Sequence, residues 1–327
     1  MNKVVKTIAT IATGAALVTA GAAIAQDRTG WPNSLTVGTA SQGGVYFVYG
    51  NGLAGFIGES LKINASGEVT GGPVQNATLV QMKEHGIGLV TMGPMYEAWT
   101  GKSELAPGLP HTDVRALFPM YETPFQCVAM RASGIKTVGD IGGKRVSVGP
   151  AGGTPGTYWP RFFQALGVNA RVSNTGAADA ASQLKDGLID AFCFAAGLPI
   201  GAFSQLAAEA DVVTFAFSDA EHAKILEAFP EVSKFKIPAG TYTVQKDDQN
   251  SVAMWNFAVV HKDMPESLAY EVTKLVLENN ARMLQIHAAA KATKIENWEN
   301  NGFLPFHKGA VRYYGEKGIT IPAKLKD

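Results

Sequence analysis

"TVGTASQGGVYFVYG" (residues 36–50) runs from an apolar strand, through a loop of small residues, into an apolar helix. Such a turn makes a cradle for an anion. The first backbone N–H groups of a helix lack intrahelical acceptors, and the helix dipole adds partial positive charge at that end. A second stretch, "SVGPAGGTPGTYW" (residues 147–159), repeats the design: a strand, Val-Gly, small residues, then an aromatic-bearing helix. Two such loops, one in each half of the chain, predict a cleft that grips one small ligand from both sides. Neither loop carries the Gly-Lys-Ser/Thr of a P-loop, and the first lacks GxGxxG, so a small carboxylate suits them better than a nucleotide. Gly43, Gly44, Gly149, Gly152 and Gly153 would let the ligand approach the amides. Thr39, Ser41, Thr154 and Thr157 would add hydroxyls, and Tyr46 a wall or a donor.

Around these loops, strand-like and helix-like stretches alternate, the pattern of α/β layering. The first series holds "SLTVGTA", a helix over "GVYFVYGNGLAGFIG", a strand near "KINAS", a Pro-started helix "PVQNATLVQMKEHG" and the strand "IGLVTMG". A loop with Pro107 and Pro110 follows, then the strand "VRALFPMY", and the series closes near Thr123 and Pro124. The second series starts with the strand "FQCVAMRA" and runs through "KRVSVGPAGG", "ARVSN", "LIDAFCFA" and "VVTFAF", each followed by a loop or helix. Ser218 with Glu221, and Asp263 with Glu266, read as capping boxes, the second opening a long carboxy-terminal helix. These breaks divide the chain into a leader (1–25), a first lobe (26–122), a second lobe (123–238) and a returning segment (239–327). Thr91 and Met92 end a strand of the first lobe, where an open α/β sheet places ligands, and Phe194 and Gly197 end one in the second. Asn76 lies in the helix before Thr91. Tyr121 and Tyr242 lie near two crossovers, expected at 119–124 and 238–243, about which the lobes would hinge.

The composition is that of a globular protein, 46% hydrophobic and 17% charged, with 28 basic and 28 acidic residues. No basic excess points to nucleic acid. Lys3 and Lys6 precede an apolar stretch ending in Ala23-Ile24-Ala25, which reads as an export signal cleaved before Gln26 rather than an anchor. The mature protein is therefore expected in the periplasm, without stable membrane insertion. Cys127 and Cys193 both sit in strand-like runs: an oxidising compartment permits a disulfide, but buried cysteines also serve as small apolar residues, and the sequence leaves both open. The histidines lack metal-ligand spacing, so no metal is expected. Ser133 with Lys136 and Ser182 with Lys185 match SxxK in polar contexts, but no SDN, KTG, GxSxG or HExxH accompanies them, and no catalytic residue is assigned.

Five ordered blocks carry a family likeness: "TVGTASQGGVYFVYG", "GDIGGKRVSVGPAGG", "LKDGLIDAFCFAAGLP", "FPEVSKFKIPAGTY" and "HKGAVRYYGEKG". Together they resemble the TAXI group of extracytoplasmic solute receptors, which serve TRAP transporters. The resemblance implies the two-lobed type II periplasmic-binding-protein fold, α/β, each lobe a mostly parallel sheet flanked by helices. It also implies capture of a small organic anion (dicarboxylate, keto acid or acidic amino acid), handed to the membrane subunits of a permease, with no cofactor and no chemistry. The family's first loop is typically Gly-Thr-Gly with a Tyr-Tyr pair, where this chain has Ala40 and Tyr46-Phe47. The second usually runs Gly-x-x-Gly-Ser-Gly-Thr, where this chain has Gly149-Pro150-Ala151-Gly152-Gly153-Thr154-Pro155. Asn76 matches an asparagine common in the family. A monomer is expected. An exported enzyme acting on a carboxylate in the same cleft, and a sensor domain presenting ligand to a membrane kinase, are the alternatives.

Overall fold

A computed structural model describes residues 27–326, so the expected leader, residues 1–25, lies outside the described residues. The chain begins with β1 (Ser34–Gly38), α1 (Val45–Leu61), β2 (Asn64–Glu68), α2 (Pro73–Gln81), β3 (Ile87–Thr91) and α3 (Met92–Trp99). The long strand β4 (Val114–Met130) leads to β5 (Arg145–Ser147), α4 (Thr154–Leu166), β6 (Arg171–Ser173), α5 (Ala177–Lys185), β7 (Ala191–Ala195) and α6 (Gly201–Glu209). Then come β8 (Val212–Phe215), α7 (Asp219–Ala228), β9 (Ser233–Ile237), β10 (Gln249–His261), α8 (Glu266–Glu278), α9 (Asn280–Ile286) and α10 (Lys308–Glu316).

The main strand path is β2-β1-β3-β10-β4-β7-β5-β6, with β8 on β4 and β9 on β10. β1 runs parallel to β2 and β3, and β5 runs parallel to β6 and β7, so the two halves share one spatial order. In each half the third strand then meets an antiparallel one: β10 beside β3, and β4 beside β7. The duplication of the two glycine loops is thus a duplication of topology. Each loop follows the first strand of its half and leads into that half's first long helix. The fold is α/β and two-lobed, with helices covering mostly parallel sheets. β3 and β7, "IGLVT" and "AFCFA", are buried throughout, as parallel strands covered on both faces must be.

Several local expectations change. The strands "VRALFPMY" and "FQCVAMRA" are one continuous strand, β4, whose first part pairs with β10 and whose second part pairs with β7 and β8. Pro124 does not end it, because only the main-chain donor of that residue is lost while its neighbours keep the ladder; Phe125 donates to the Ser251 hydroxyl instead. The segment 238–243 is no crossover: it lies in the turn between β9 and β10, and the return passage is β10 itself, whose pairing with β4 shifts register between Trp255 and Phe257. The helix α3 stands where only a loop was expected. The Ser218 capping box forms, but the Asp263 one does not: Pro265 caps α8 without a side chain, and Asp263 is held by Lys83 at 2.8 Å. The long carboxy-terminal helix breaks at Asn279, and Asn280 anchors the second piece through the carbonyls of Ala290 and Thr293.

Cys127 and Cys193 form a disulfide, the one closed among the described residues, between directly opposed positions of β4 and β7. It closes a separation of 66 residues within the second half of the fold. Restricting a loop of that size in the unfolded chain stabilises a domain by about 2–5 kcal/mol. Replacing both cysteines by alanine is expected to lower stability by about that amount in urea unfolding. A midpoint that ignores dithiothreitol would show that the thiols do not pair.

Candidate ligand-binding site

The two glycine loops face one another. Val74 at the start of α2 donates to the carbonyl of Gly152 at 3.1 Å, Ala178 in α5 donates to the carbonyl of Gln42 at 3.1 Å, and Ala202 in α6 donates to that of Gly43 at 3.0 Å. Ala177 donates to the Ser41 hydroxyl at 3.2 Å. The halves touch this closely only because side chains are missing at the contacts. Gly43 has φ +83, and a Cβ there would lie 3.0 Å from the Ala178 nitrogen; Gly72 has φ +117, and its Cβ would lie 2.9 Å from the Gly153 Cα. A further contact between the halves has Arg161 of α4 forked onto Glu97 of α3 and reaching Glu104 at 3.1 Å, with its guanidinium over the Tyr158 ring.

Between the loops lies a cavity of about 30 Å³. The openings of four helices line it: Gly44 to Tyr46 of α1, Gly72 and Pro73 of α2, Thr91 before α3, and Gly153 to Pro155 of α4. Their dipoles all place positive potential there. None of the described residues that line it is Asp, Glu, Lys, Arg or His. The apolar wall comes from Val45, Pro73, Pro150, Pro155 and Phe194.

One end of the cavity is a cluster of hydroxyls gathered on Asn256 of β10, which stands opposite Thr91 in the strand register. The Asn256 Nδ2 donates to the Tyr121 carbonyl at 2.6 Å and to the Thr123 hydroxyl at 2.7 Å. A carbonyl can only accept, so this contact fixes which way the amide faces. Its Oδ1 then accepts from Tyr46 at 2.7 Å and Thr91 at 2.8 Å, with the Thr123 hydroxyl at 3.1 Å. Thr154 crosses from α4 to donate to Thr91 at 2.7 Å. Burial pushes the Tyr46 phenol far above its ordinary value, so it stays protonated and keeps its donor.

Of the residues singled out in the sequence, Ser41, Gly44, Tyr46, Thr91, Gly153, Thr154 and Phe194 line this cavity. The others stand around it. The Thr39 hydroxyl binds the Glu68 carbonyl at 2.7 Å, joining β1 to β2. Asn76 is fully buried, donating to the carbonyls of Gly38, Thr39 and Leu89, so it ties the ends of β1 and β3 together. Met92 opens α3 and faces a separate cleft with Tyr96 and Tyr158. Tyr121 is buried edge-on to Tyr46 and Tyr49, its hydroxyl without a partner. Gly43 and Gly152 make the contacts between halves already described, Gly149 packs against the Phe194 ring, and Gly197 against Tyr121. The Thr157 hydroxyl is spent on the Gly153 carbonyl at 3.2 Å. Tyr242 accepts from the Ile200 amide at 3.0 Å, supporting the turn before α6.

Sequence reasoning missed Thr123, Asn256 and the turn of Gly71 and Gly72. The glycine pair ahead of Pro73 was a readable helix-start signal. Asn256, alone in the apolar run "SVAMWNFAVVHK", was another, since a buried amide needs partners.

The signature of the NMT1-like family matches residues 37–318. The chain belongs to the NMT1-like family. Among solved structures, this NMT1-like chain is similar to one described as a periplasmic transporter (15% identity, TM-score 0.54, covering 78% of this chain and 87% of the other). It is similar to the periplasmic binding protein BugD (13%, 0.54, 89% and 99%). It is also similar to MatC from Rhodopseudomonas palustris with bound malate (16%, 0.52, 83% and 93%). At these identities the likeness is one of fold, and the fold is that of periplasmic binding proteins. No helix among the described residues is long and apolar enough to cross a membrane.

Replacing Asn256 by leucine would leave the Tyr46, Thr91 and Thr123 hydroxyls buried without their shared acceptor. The expected loss is about 2–4 kcal/mol in chemical denaturation, with the fold retained. A loss under about 0.5 kcal/mol would show that the cluster is not held through this amide.

Proposed function

We propose that this NMT1-like protein is an extracytoplasmic solute receptor of the TAXI type, which captures a small organic anion by closing its two halves and delivers it to TRAP permease subunits. The observation that carries the reading is the uncharged cavity on which four helix openings and hydroxyls from both halves converge. Backbone dipoles of this kind hold a carboxylate without a buried lysine. The malate held by MatC is an anion of the class proposed here. The contacts we assign to the ligand are Gly44, Tyr46, Thr91, Thr123, Gly153 and Thr154, with Phe194 and Val45 against its carbon body.

Closure follows from the two passages. β4 pairs in both sheets, and β10, paired in the first, sets Val252 and Met254 in the core of the second half, so small dihedral changes near Thr123 and Trp255 would swing the halves. A ligand favours the closed form only through contacts that the open form lacks, here those to Thr154 and Gly153 on one side and Tyr46 and Thr91 on the other. Arg161 with Glu97 and Glu104 adds an ion-pair latch outside the cavity.

Titration calorimetry of the full chain against malate, 2-oxoglutarate, L-glutamate, pyruvate and propionate tests the reading. At least one of them is expected to bind and raise the melting temperature; silence from all would end the receptor assignment. The latch has its own test. The substitution Arg161→Met should weaken that binding roughly threefold to tenfold. Raising salt from about 0.05 to about 0.5 M should weaken wild type more than the variant, because the exposed latch is screened. Equal salt dependence in the two proteins would show that the pair does not contribute to closure.

A further inference from the structure

A second cavity, of about 420 Å³, shares no lining residue with the one between the glycine loops. Its size falls within the roughly 300–1,000 Å³ usual for small-molecule pockets. One wall is β4 at Glu122 and Pro124, the residues on either side of Thr123. Leu198 and Pro199, after β7, form another, and β9 adds Phe235 and Lys236. The last wall is the turn 288–292, which contributes Lys291.

These walls are held in place by contacts outside the cavity. Thr293 donates to the Met120 carbonyl at 2.9 Å, which fixes the end of the 288–292 turn to β4. His287 fixes its start. The Nδ1 of His287 accepts from the Ala289 amide at 3.0 Å, so the hydrogen sits on Nε2, which donates to the Pro199 carbonyl at 3.2 Å. An imidazole with an accepting nitrogen is neutral, so His287 adds no charge to the cavity.

The charges that do line the cavity leave one another unsatisfied. The Glu122 carboxylate is half-buried, and none of the described residues hydrogen-bonds or ion-pairs with it. Burial therefore acts on it unopposed and raises it above the ordinary carboxyl range. The exposed Lys291 has no acidic partner among the described residues either. Lys236 has Asp248 at 3.8 Å, an exposed pair of little strength. One carboxylate and two ammonium groups, carried by three separate elements, thus stand in one cavity without pairing across it. The surface between them is apolar: Pro124, Leu198, Pro199 and Phe235.

We propose that this cavity binds a zwitterion, an α-amino acid with an apolar side chain. Its ammonium group lies on Glu122, its carboxylate is met by Lys236 and Lys291, and its side chain lies against Phe235, Leu198 and the prolines. A half-buried carboxylate without a partner is costly, and an incoming ammonium group removes that cost. A ligand of one charge does not serve as well. An amine would pair with Glu122 but stand beside two ammonium groups, and a simple carboxylate would pair with the lysines but face Glu122. The two lysine side chains are exposed and long, so they can turn to a ligand that Glu122 has anchored. This assignment is independent of the receptor reading, because it uses none of the contacts given there to the anion.

Calorimetry of the full chain with L-leucine and L-phenylalanine tests the site. Each is compared with its amine (isopentylamine, phenethylamine) and its acid (4-methylpentanoate, 3-phenylpropanoate), which keep the side chain and one charge. At least one amino acid is expected to bind with a Kd below about 1 mM, and its amine and acid at least about tenfold more weakly. Silence from both amino acids overturns the proposal, and so does an amine or acid that binds as tightly as its amino acid. The substitution Glu122→Gln, and the pair Lys236→Met with Lys291→Met, should each weaken the tighter amino acid about tenfold, with the circular dichroism spectrum unchanged. If Glu122→Gln does not fold, the lysine pair, exposed on the surface, decides. Unchanged affinity in either folded variant places the amino acid elsewhere on the protein and overturns the proposal.

Discussion

One side-chain amide sets the geometry of the centre of this protein. Asn256 lies in β10, next to both β3 and β4, and binds groups from α1, β3 and β4 at once. In a buried, low-dielectric setting a satisfied network of this sort is rigid, and a half-satisfied one is costly. The amide therefore does more than fill a gap in a strand. It fixes where α1 starts relative to the end of β3 and where β4 leaves the first sheet, and those three points are the floor of the cavity. Tyr121 adds bulk beneath, with Tyr46 and Tyr49 packed edge-on against it.

The second constraint is the closeness of the two halves. Main-chain groups of one loop bond directly to helix openings of the other half, an approach that leaves little room for a Cβ at Gly43 or Gly72. This has a consequence for recognition. A helix opening that caps a facing loop is no longer available to a ligand, so the approach of the halves consumes the amides of α2, α5 and α6 that a wider cleft would present. What remains in the lining is hydroxyls and apolar side chains.

Much of this was legible in residues alone. The α/β alternation, the paired loops and most elements follow from period and glycine placement, and the loops do meet across one cavity. What could not be read has physical causes. α3 hid because "MGPMYEAW" carries a glycine and a proline in its first turn, signals that also mark loops. The continuity of β4 hid because a proline in a strand reads as an end, whereas here it falls at the passage between sheets, where its missing donor costs little. Thr39, Asn76, Thr157 and Tyr242 were expected as ligand contacts. Whether such a group faces a ligand or a carbonyl depends on tertiary contacts that no local pattern encodes, and in these four cases it faces the protein. Thr123 and Asn256 escaped for the converse reason: each is one polar residue in an apolar strand, and nothing in the strand says what stands opposite.

For the anion receptor proposed here, a cavity without a buried cation would be a thermodynamic advantage, because its halves would open and close. A lysine or arginine in this place would be buried on every closure without ligand, at a cost of several kcal/mol. The empty closed form would then be excluded. Helix dipoles and hydroxyls impose no such cost, because their alternative partners are neighbouring groups such as Asn256 and Thr91, which they already hold. The halves can therefore approach with little penalty, and the ligand shifts the balance only by the few contacts that it alone supplies. The Arg161 ion pairs lie outside the cavity, partly in solvent, where charge is inexpensive to expose and re-form. Under the proposed receptor reading, the neutral donors inside would set which anion is held, and the ion pairs outside would set how firmly the halves stay shut.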